Sequence, residues 1–334
     1  EDGVEVSVPA EAAEGFARSQ GATVDDLRVE TVDGGEYVLV DVHQAGRPAT
    51  HVLQEALPDL IADIKFGKNM RWNATGIAFS RPLRWIVALF DEIVIPFQYA
   101  GVISGNTTRG LRPYGSPELA VKTPEHYIGI MAEQNVYLNR DERREVILDQ
   151  ISGIAESVDG TIPDDPGLLD EVTNLVEAPM AFKGTFEEKY LDLPRDVLIT
   201  VMRKHQRYFP VLDNDGNLLP YFIGVRNGDQ EHLAMVIAGN EHVIRARFSD
   251  ADYFYAQDIK KPLASYLPRL DTLVFHEKLG SMREKNDRVA GLVEDIAVLL
   301  GIPQASADIE IAKEAAAIAK ADLATQMVVE MTSL

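Results

Sequence analysis

Cysteine is absent from all 334 residues. That excludes a disulfide scaffold and every chemistry that runs through a thiolate, including Cys nucleophiles, zinc-ribbon ligands and iron–sulfur clusters. No run of ~18 or more apolar residues occurs, so no membrane-spanning helix is expected. A basic-then-apolar leader is lacking, which argues against secretion and for a cytoplasmic location. The common catalytic fingerprints are missing too: there is no GxxxxGK[ST] phosphate loop, no GxGxxG after a strand, no GxSxG and no HExxH. The seven histidines (His43, His51, His126, His205, His232, His242 and His276) are scattered, and none is followed by Asp. What remains is 46% hydrophobic and 25% charged, the balance of an ordinary globular chain long enough for two or three compact units. The chain opens on Glu1-Asp2-Gly3 and stops directly after an apolar-periodic stretch, so it is expected to be a piece of something longer.

Positive charge is scarce as well: 32 Lys and Arg stand against 53 Asp and Glu, a net of −21. A polyanion partner needs a cationic face, so the whole-chain balance by itself disfavours nucleic acid. The distribution matters more than the sum. Residues 1–63 hold 14 acids and 3 bases, residues 141–193 hold 14 acids and 4 bases, and together they account for the entire deficit. Between 65 and 112, Lys65, Lys68, Arg71, Arg81, Arg84, Arg109 and Arg112 face only Asp91 and Glu92. Residues 195–290 are near balance, with 14 bases and 13 acids. A screening length of ~8 Å lets a basic surface coexist with acidic flanks.

Periodicity places helices at 11–20 and 50–64, and the turn Asp33-Gly34-Gly35 precedes a strand over 37–42. Strand-like pattern runs from 79 to 103, broken at Asp91-Glu92. Thr123-Pro124-Glu125 reads as N-cap, N1 and N2 of a helix to about 134. Further helices are expected at 139–158, 168–178 and 194–204, with a short strand near 180–183. Residues 208–212 and 219–225 flank Asp213-Asn214-Asp215-Gly216 as a hairpin. Beyond 230 the signals are helical throughout, at 231–238, 240–256, 259–267, 272–300 and 306–331. The expected organisation is mixed α/β over 1–228, with a possible lobe boundary near 65, followed by an all-helical region over 229–334.

Three stretches carry the candidate chemistry. Lys65-Phe-Gly-Lys-Asn-Met-Arg-Trp72 and Phe79-Ser-Arg-Pro-Leu-Arg-Trp85 interleave cations with flat rings, a mixture suited to phosphate contact and base stacking. The alternative is that Trp85 and Trp72 are core aromatics with snorkelling Arg neighbours. Met202-Arg-Lys-His-Gln-Arg-Tyr-Phe209 sets four cation-capable side chains at the join of a helix and a hairpin, where they also suit the helix dipole. In the stretch 239–255, Arg245, Ser249 and Asp252 share a helical face and can bond a neighbouring element.

At these residues the chain resembles one family, the β subunit of the bacterial heterotetrameric glycyl-tRNA synthetase. The matching stretches are KNMRW at 68–72, FSRPLRW at 79–85, SGNTTRG at 104–110, MRKHQRYFPVLDNDGNLLPYFIGVRN at 202–227, GNEHVIRARFSDADYFYAQDIKKPL at 239–263, LPRLDTLVFHEKLGSMREKNDR at 267–288 and KADLATQMVVEMTSL at 320–334. The resemblance implies a complex of two α and two β subunits that joins glycine to tRNA(Gly). It puts ATP, with magnesium, on the α subunit and tRNA binding on the β subunit, with no cofactor in this chain. It also implies an α+β multidomain fold. The mixed front would resemble the tRNA-binding and editing-type domain of the phenylalanyl-tRNA synthetase β subunit, and the helical end an HD-like domain. An HD metal site needs a His, a His-Asp pair and a further Asp. Here His276 and Asp322 sit at plausible ends without the His-Asp dipeptide, so no metal is expected. The expected role is non-catalytic, with tRNA-binding candidates Lys68, Arg71, Arg81, Arg84, Arg109, Arg203, Lys204, Arg207, Tyr208, Arg245 and Arg247. The rivals are hydrolytic editing, HD-type phosphohydrolysis, and a scaffold that contacts the α subunit alone.

Overall fold

The computed structural model describes residues 9–32, 34–41, 46–303 and 306–332. Asp33 of the expected turn, Val42 at the expected strand end and His43 lie outside them. The chain divides into two compact units after Thr108, not at 228.

In the first unit, α1 (Ala10–Ser19) precedes a hairpin of β1 (Leu27–Val32) and β2 (Gly35–Val40), in register from Leu27 opposite Val40 to Val32 opposite Gly35. Helix α2 (Ala49–Ala62) follows. The strand-like stretch breaks into short pieces: β3 (Ile86–Val87), β4 (Leu89–Phe90), β5 (Ile93–Val94), β6 (Gln98–Tyr99) and β7 (Val102–Gly105). Strands β4 and β5 form a hairpin at Asp91-Glu92, where Asp91 adopts φ 52°. β7 is central between parallel β3 and antiparallel β6. Buried Ser104 ties this small sheet, accepting from Phe97 N at 2.8 Å and donating to Ile95 O at 2.7 Å.

Strand β8 (Thr107–Arg109) spans the division, and β9 (Glu118–Ala120) leads to α3 (Pro124–Glu133). Thr123 caps α3 by accepting from His126 N, as its sequence position implies. Asn139 caps α4 (Arg140–Glu156), and Asp165 caps α5 (Pro166–Leu175). A three-stranded antiparallel sheet follows in the order β10 (Pro179–Thr185), β12 (Leu218–Asn227), β11 (Phe209–Leu212). Successive side chains of a strand point to opposite faces, and this sheet uses both. Ala181, Phe209, Val211 and Ile223 meet Ile147, Ile151, Leu168 and Val172 of α4 and α5. On the other face, Phe182 and Phe222 join α6 (Arg195–Thr200) and α7 (Leu233–Asp258) through Leu198, Ile244, Phe248 and Ala251. Phe248 packs edge-on to Phe186, with ring centroids 4.9 Å apart.

That shared core explains why the chain does not divide at 228: the sheet and α7 bury each other. It also explains why α7 is one helix where two were expected, at 231–238 and 240–256. Gly239 costs an exposed helix about 1 kcal/mol, but the Ile244–Phe248–Ala251 face is buried on the sheet. Asn240 bonds back into its own helix by donating to Val236 O at 2.7 Å.

The expected helix 272–300 opens instead as a hairpin, β13 (Val274–His276) with β14 (Gly280–Ser281), where Gly280 takes φ +84°. Ser281 and Glu284 then form a capping box that starts α8 (Met282–Gly291), and α9 (Val293–Leu299) completes the stretch. The expected 306–331 helix is α10 (Ala307–Ile318), a 3-10 turn at 321–324 and α11 (Gln326–Glu330). No helix among the described residues is long and apolar enough to cross a membrane.

Candidate nucleic-acid interface

The sequence-derived cations fall into two chemically different sets. The first lies in unit 1, on the irregular segment 65–85 between α2 and β3. Met70 and Phe79 form an antiparallel bridge there, with N to O distances of 2.8 and 3.1 Å. Phe66 meets Phe79 edge-on at 4.6 Å. Asn73 accepts from Thr75 and donates to Ala100 O at 2.8 Å, tying the segment to the turn before β7. Lys68, Arg71, Arg81 and Arg84 are all exposed, and none is in an ion pair among the described residues. Trp85 is 41% exposed and so is not the core aromatic its apolar neighbours suggested. The strand there is only two residues long, and Trp85 lies just outside it. Trp72 is half-buried.

The second set lies in unit 2, and there most of the candidates are already neutralised. Arg109 pairs with Glu118 at 2.5 Å and donates to Ser116 O. Helix α6 continues into a π-helical turn, Val201–Gln206, anchored by buried Val201 and Met202 and closed by Arg207 at φ 58°. On this turn Arg203 pairs with Asp165, and Arg207 pairs with Glu171 at 2.8 Å, so both are held by α5 and its cap. Arg245 reaches Glu187 at 2.9 Å, which is the cross-element bond its helical face suggested. Lys204 and Arg247 are exposed and outside any ion pair among the described residues. The exposed pairs of this set contribute ~0–1 kcal/mol each, Asp165 of the Arg203 pair being largely buried, and each pair offsets charge that a phosphate would otherwise meet.

Tyr208 is a correction to the sequence reading. Expected as a stacking platform, it is 5% exposed and stacks instead on Phe222, with centroids 4.4 Å apart. Its hydroxyl donates to Asn240 Oδ1, so the ring joins the hairpin to α7. Burial pushes its phenol up to about 12, against about 10 for an unfolded tyrosine. The fold therefore holds a proton that the unfolded chain releases as pH rises past ~10. This stabilisation is fully present below pH ~10 and is lost on the way to pH ~12. Tyr208→Phe is expected to show a shallower alkaline decline in urea midpoint than the parent, although it leaves Asn240 short of a donor at neutral pH. A parallel alkaline decline in the two proteins would refute the buried phenol.

Sequence reasoning missed Arg226 and Asn240. With Arg207 and Gln206 they line a cleft of about 300 Å³ between α5 and the sheet. Arg226 donates to Glu231 O at 2.8 Å. It stands alone in sequence, without the neighbouring cations that marked the other stretches. Asp165 was missed as well, although Asp before Pro is the pattern of an N-cap. His276 is exposed on β13 and accepts from Lys278 N at 3.1 Å, while the Asp322 carbonyl accepts from Thr325. No group of three His, Asp or Glu side chains that could hold a metal occurs among the described residues.

Comparison with known proteins gives a consistent answer. The family model described as "Glycyl-tRNA synthetase beta subunit" matches residues 4–334. A glycine–tRNA ligase beta subunit of Halalkalibacterium halodurans is 46% identical over 97% of this chain, which covers 46% of that protein. The Bacillus subtilis beta subunit is 44% identical, again over 97% of this chain and 47% of its own length. The Arabidopsis thaliana chloroplastic/mitochondrial glycine–tRNA ligase 2 is 41% identical over 98% of this chain and 30% of its own length. The chain thus spans a little under half the length of these bacterial relatives. On a match of this extent, the chain belongs to the glycyl-tRNA synthetase beta subunit family.

Proposed function

We propose that this chain is part of a cytoplasmic glycine–tRNA ligase, in which it binds and positions tRNA(Gly) while an α subunit joins glycine to it. ATP and magnesium belong to the α subunit in this reading, and the complex holds two of each subunit. Family membership over nearly the whole chain supports the ligase role. The observation that carries the tRNA-binding role is the set of four exposed cations in unit 1 with no carboxylate to neutralise them among the described residues. A polyanion releases counterions on meeting such a set. The likeness of the mixed region to an editing-type domain, and of the helical end to an HD-like domain, belongs to the same proposal.

Filter-binding titration of tRNA(Gly) against the 334-residue chain tests it. The expected result is retention that weakens linearly in log–log against salt, by about 0.7–0.9 per phosphate contacted. Failure to retain tRNA(Gly) at low salt, or retention indifferent to salt, would leave the scaffold role in its place.

A further inference from the structure

We infer that the segment 65–85 is the RNA-contacting surface of this chain and takes unpaired nucleotides, whereas the 202–208 segment is an internal staple that touches no RNA. This rests on the tRNA-binding reading above and narrows it to one surface and one class of RNA structure.

Three observations point the same way. Neutralisation differs between the segments: Arg203 and Arg207 are committed to Asp165 and Glu171 and Tyr208 is buried, which leaves Lys204 as the one Lys or Arg of the 202–208 motif outside an ion pair among the described residues. Lys68, Arg71, Arg81 and Arg84 have no such commitment among the described residues. The backbone also brings two of them to one end of the loop. The Met70–Phe79 bridge runs antiparallel, so Lys68 and Arg81, each two residues outside it, lie along the same end of the loop. The Arg71 guanidinium sits beside Gly76 at the other end. Finally, both tryptophans of the chain fall in this segment, with Trp85 41% exposed. Cations track a phosphate backbone of either kind, but flat rings beside them reach a base face only when that base is not already stacked in a duplex. The loop is fixed in advance by the Phe66–Phe79 contact and the Asn73–Ala100 bond, so little order has to be gained on binding.

The placement of the tryptophans supplies the experiment, because all indole emission of the chain comes from this segment. A single-stranded oligouridylate is expected to quench that emission, while an RNA duplex of equal length leaves it unchanged. Lys68→Gln with Arg81→Gln is expected to weaken oligouridylate binding about tenfold and to lower the log–log salt slope by about 1.4. Arg71→Gln with Arg84→Gln serves as a second pair should the first variant fail to fold. Trp85→Ala is expected to lose about tenfold and Trp85→Phe to recover most of it. Arg203→Ala with Arg207→Ala is expected to bind the oligonucleotide within about twofold of the parent at the same salt slope. Equal quenching by the duplex, or a larger loss from the Arg203/Arg207 pair than from the Lys68/Arg81 pair, overturns the inference. Unchanged emission while tRNA(Gly) is still retained on filters overturns this inference alone. Failure to bind either RNA overturns the tRNA-binding reading with it.

Discussion

Gly184→Ala is expected to destabilise the protein by about 3 kcal/mol, the upper end of the range for forcing extra atoms into a packed core. The register of β10 and β12 places Gly184 opposite Phe222 and Phe182 opposite Gly224, so each ring lies over a glycine of the partner strand. A Cβ at 184 would fall 2.2 Å from Phe222 Cζ and 2.5 Å from its Cε1. Phe222 is fully buried, stacked on Tyr208 and closed over by α7, so its ring has no route of retreat. Gly153→Ala in α4 is the control: no neighbour stands within 4 Å of its would-be Cβ, and the change is expected to gain about 0.5–1 kcal/mol. Urea unfolding of both variants gives the comparison. A cost below about 1 kcal/mol at 184 would mean that the two rings are not locked as described.

Asp258→Ala is expected to cost a similar amount, about 3 kcal/mol, by leaving several donors without an acceptor. Asp258 ends α7, and its carboxylate accepts from Gln326 N at 2.9 Å, Met327 N at 2.8 Å and Tyr266 Oη at 3.1 Å. It thus caps a helix that begins 68 residues later in sequence. Once the cap is lost, α11 should swing out and take Met327 and Met331 from the core under the sheet. Asp258→Asn keeps an acceptor oxygen without the charge and should lose about half as much. Hydrogen exchange separates the local effect from a global one: amides of 326–331 should lose protection first, and those of α4 and α5 last. Uniform loss of protection would refute the local mechanism.

Local chemistry was readable in the sequence, and partnership across the fold was not. Thr123-Pro124 and the hairpin around residue 216 announce themselves, because a cap or a tight turn is decided by residues within a few positions. The fates of Arg203 and Arg207 depend on acids 38 and 36 positions earlier, brought near only when α5 lies beside the π-helical turn. Cation density therefore counted as available two guanidinium groups that the fold pairs with carboxylates. Tyr208 and Trp85 err in opposite directions for one reason. Apolar neighbours in sequence suggested burial for Trp85, and cationic neighbours suggested exposure for Tyr208, yet the packing of the surrounding elements sets both. Gly239-Asn240 looked like a helix break because glycine propensity is local, whereas the buried Ile244–Phe248 face that holds the helix together is tertiary.

The apolar layer beneath Phe182 and Phe222 closes only with Ile244, Phe248, Met327 and Met331. A ribosome making this chain would have to deliver more than a hundred further residues after the strands emerge before that layer could be finished. Until then the nascent sheet would carry an oily, half-covered side, vulnerable to sticking and in need of a chaperone's shelter. The same arrangement tells anyone trimming the gene that a stop codon at 228 would yield a sticky half-lobe, whereas a cut after 108 respects the seam.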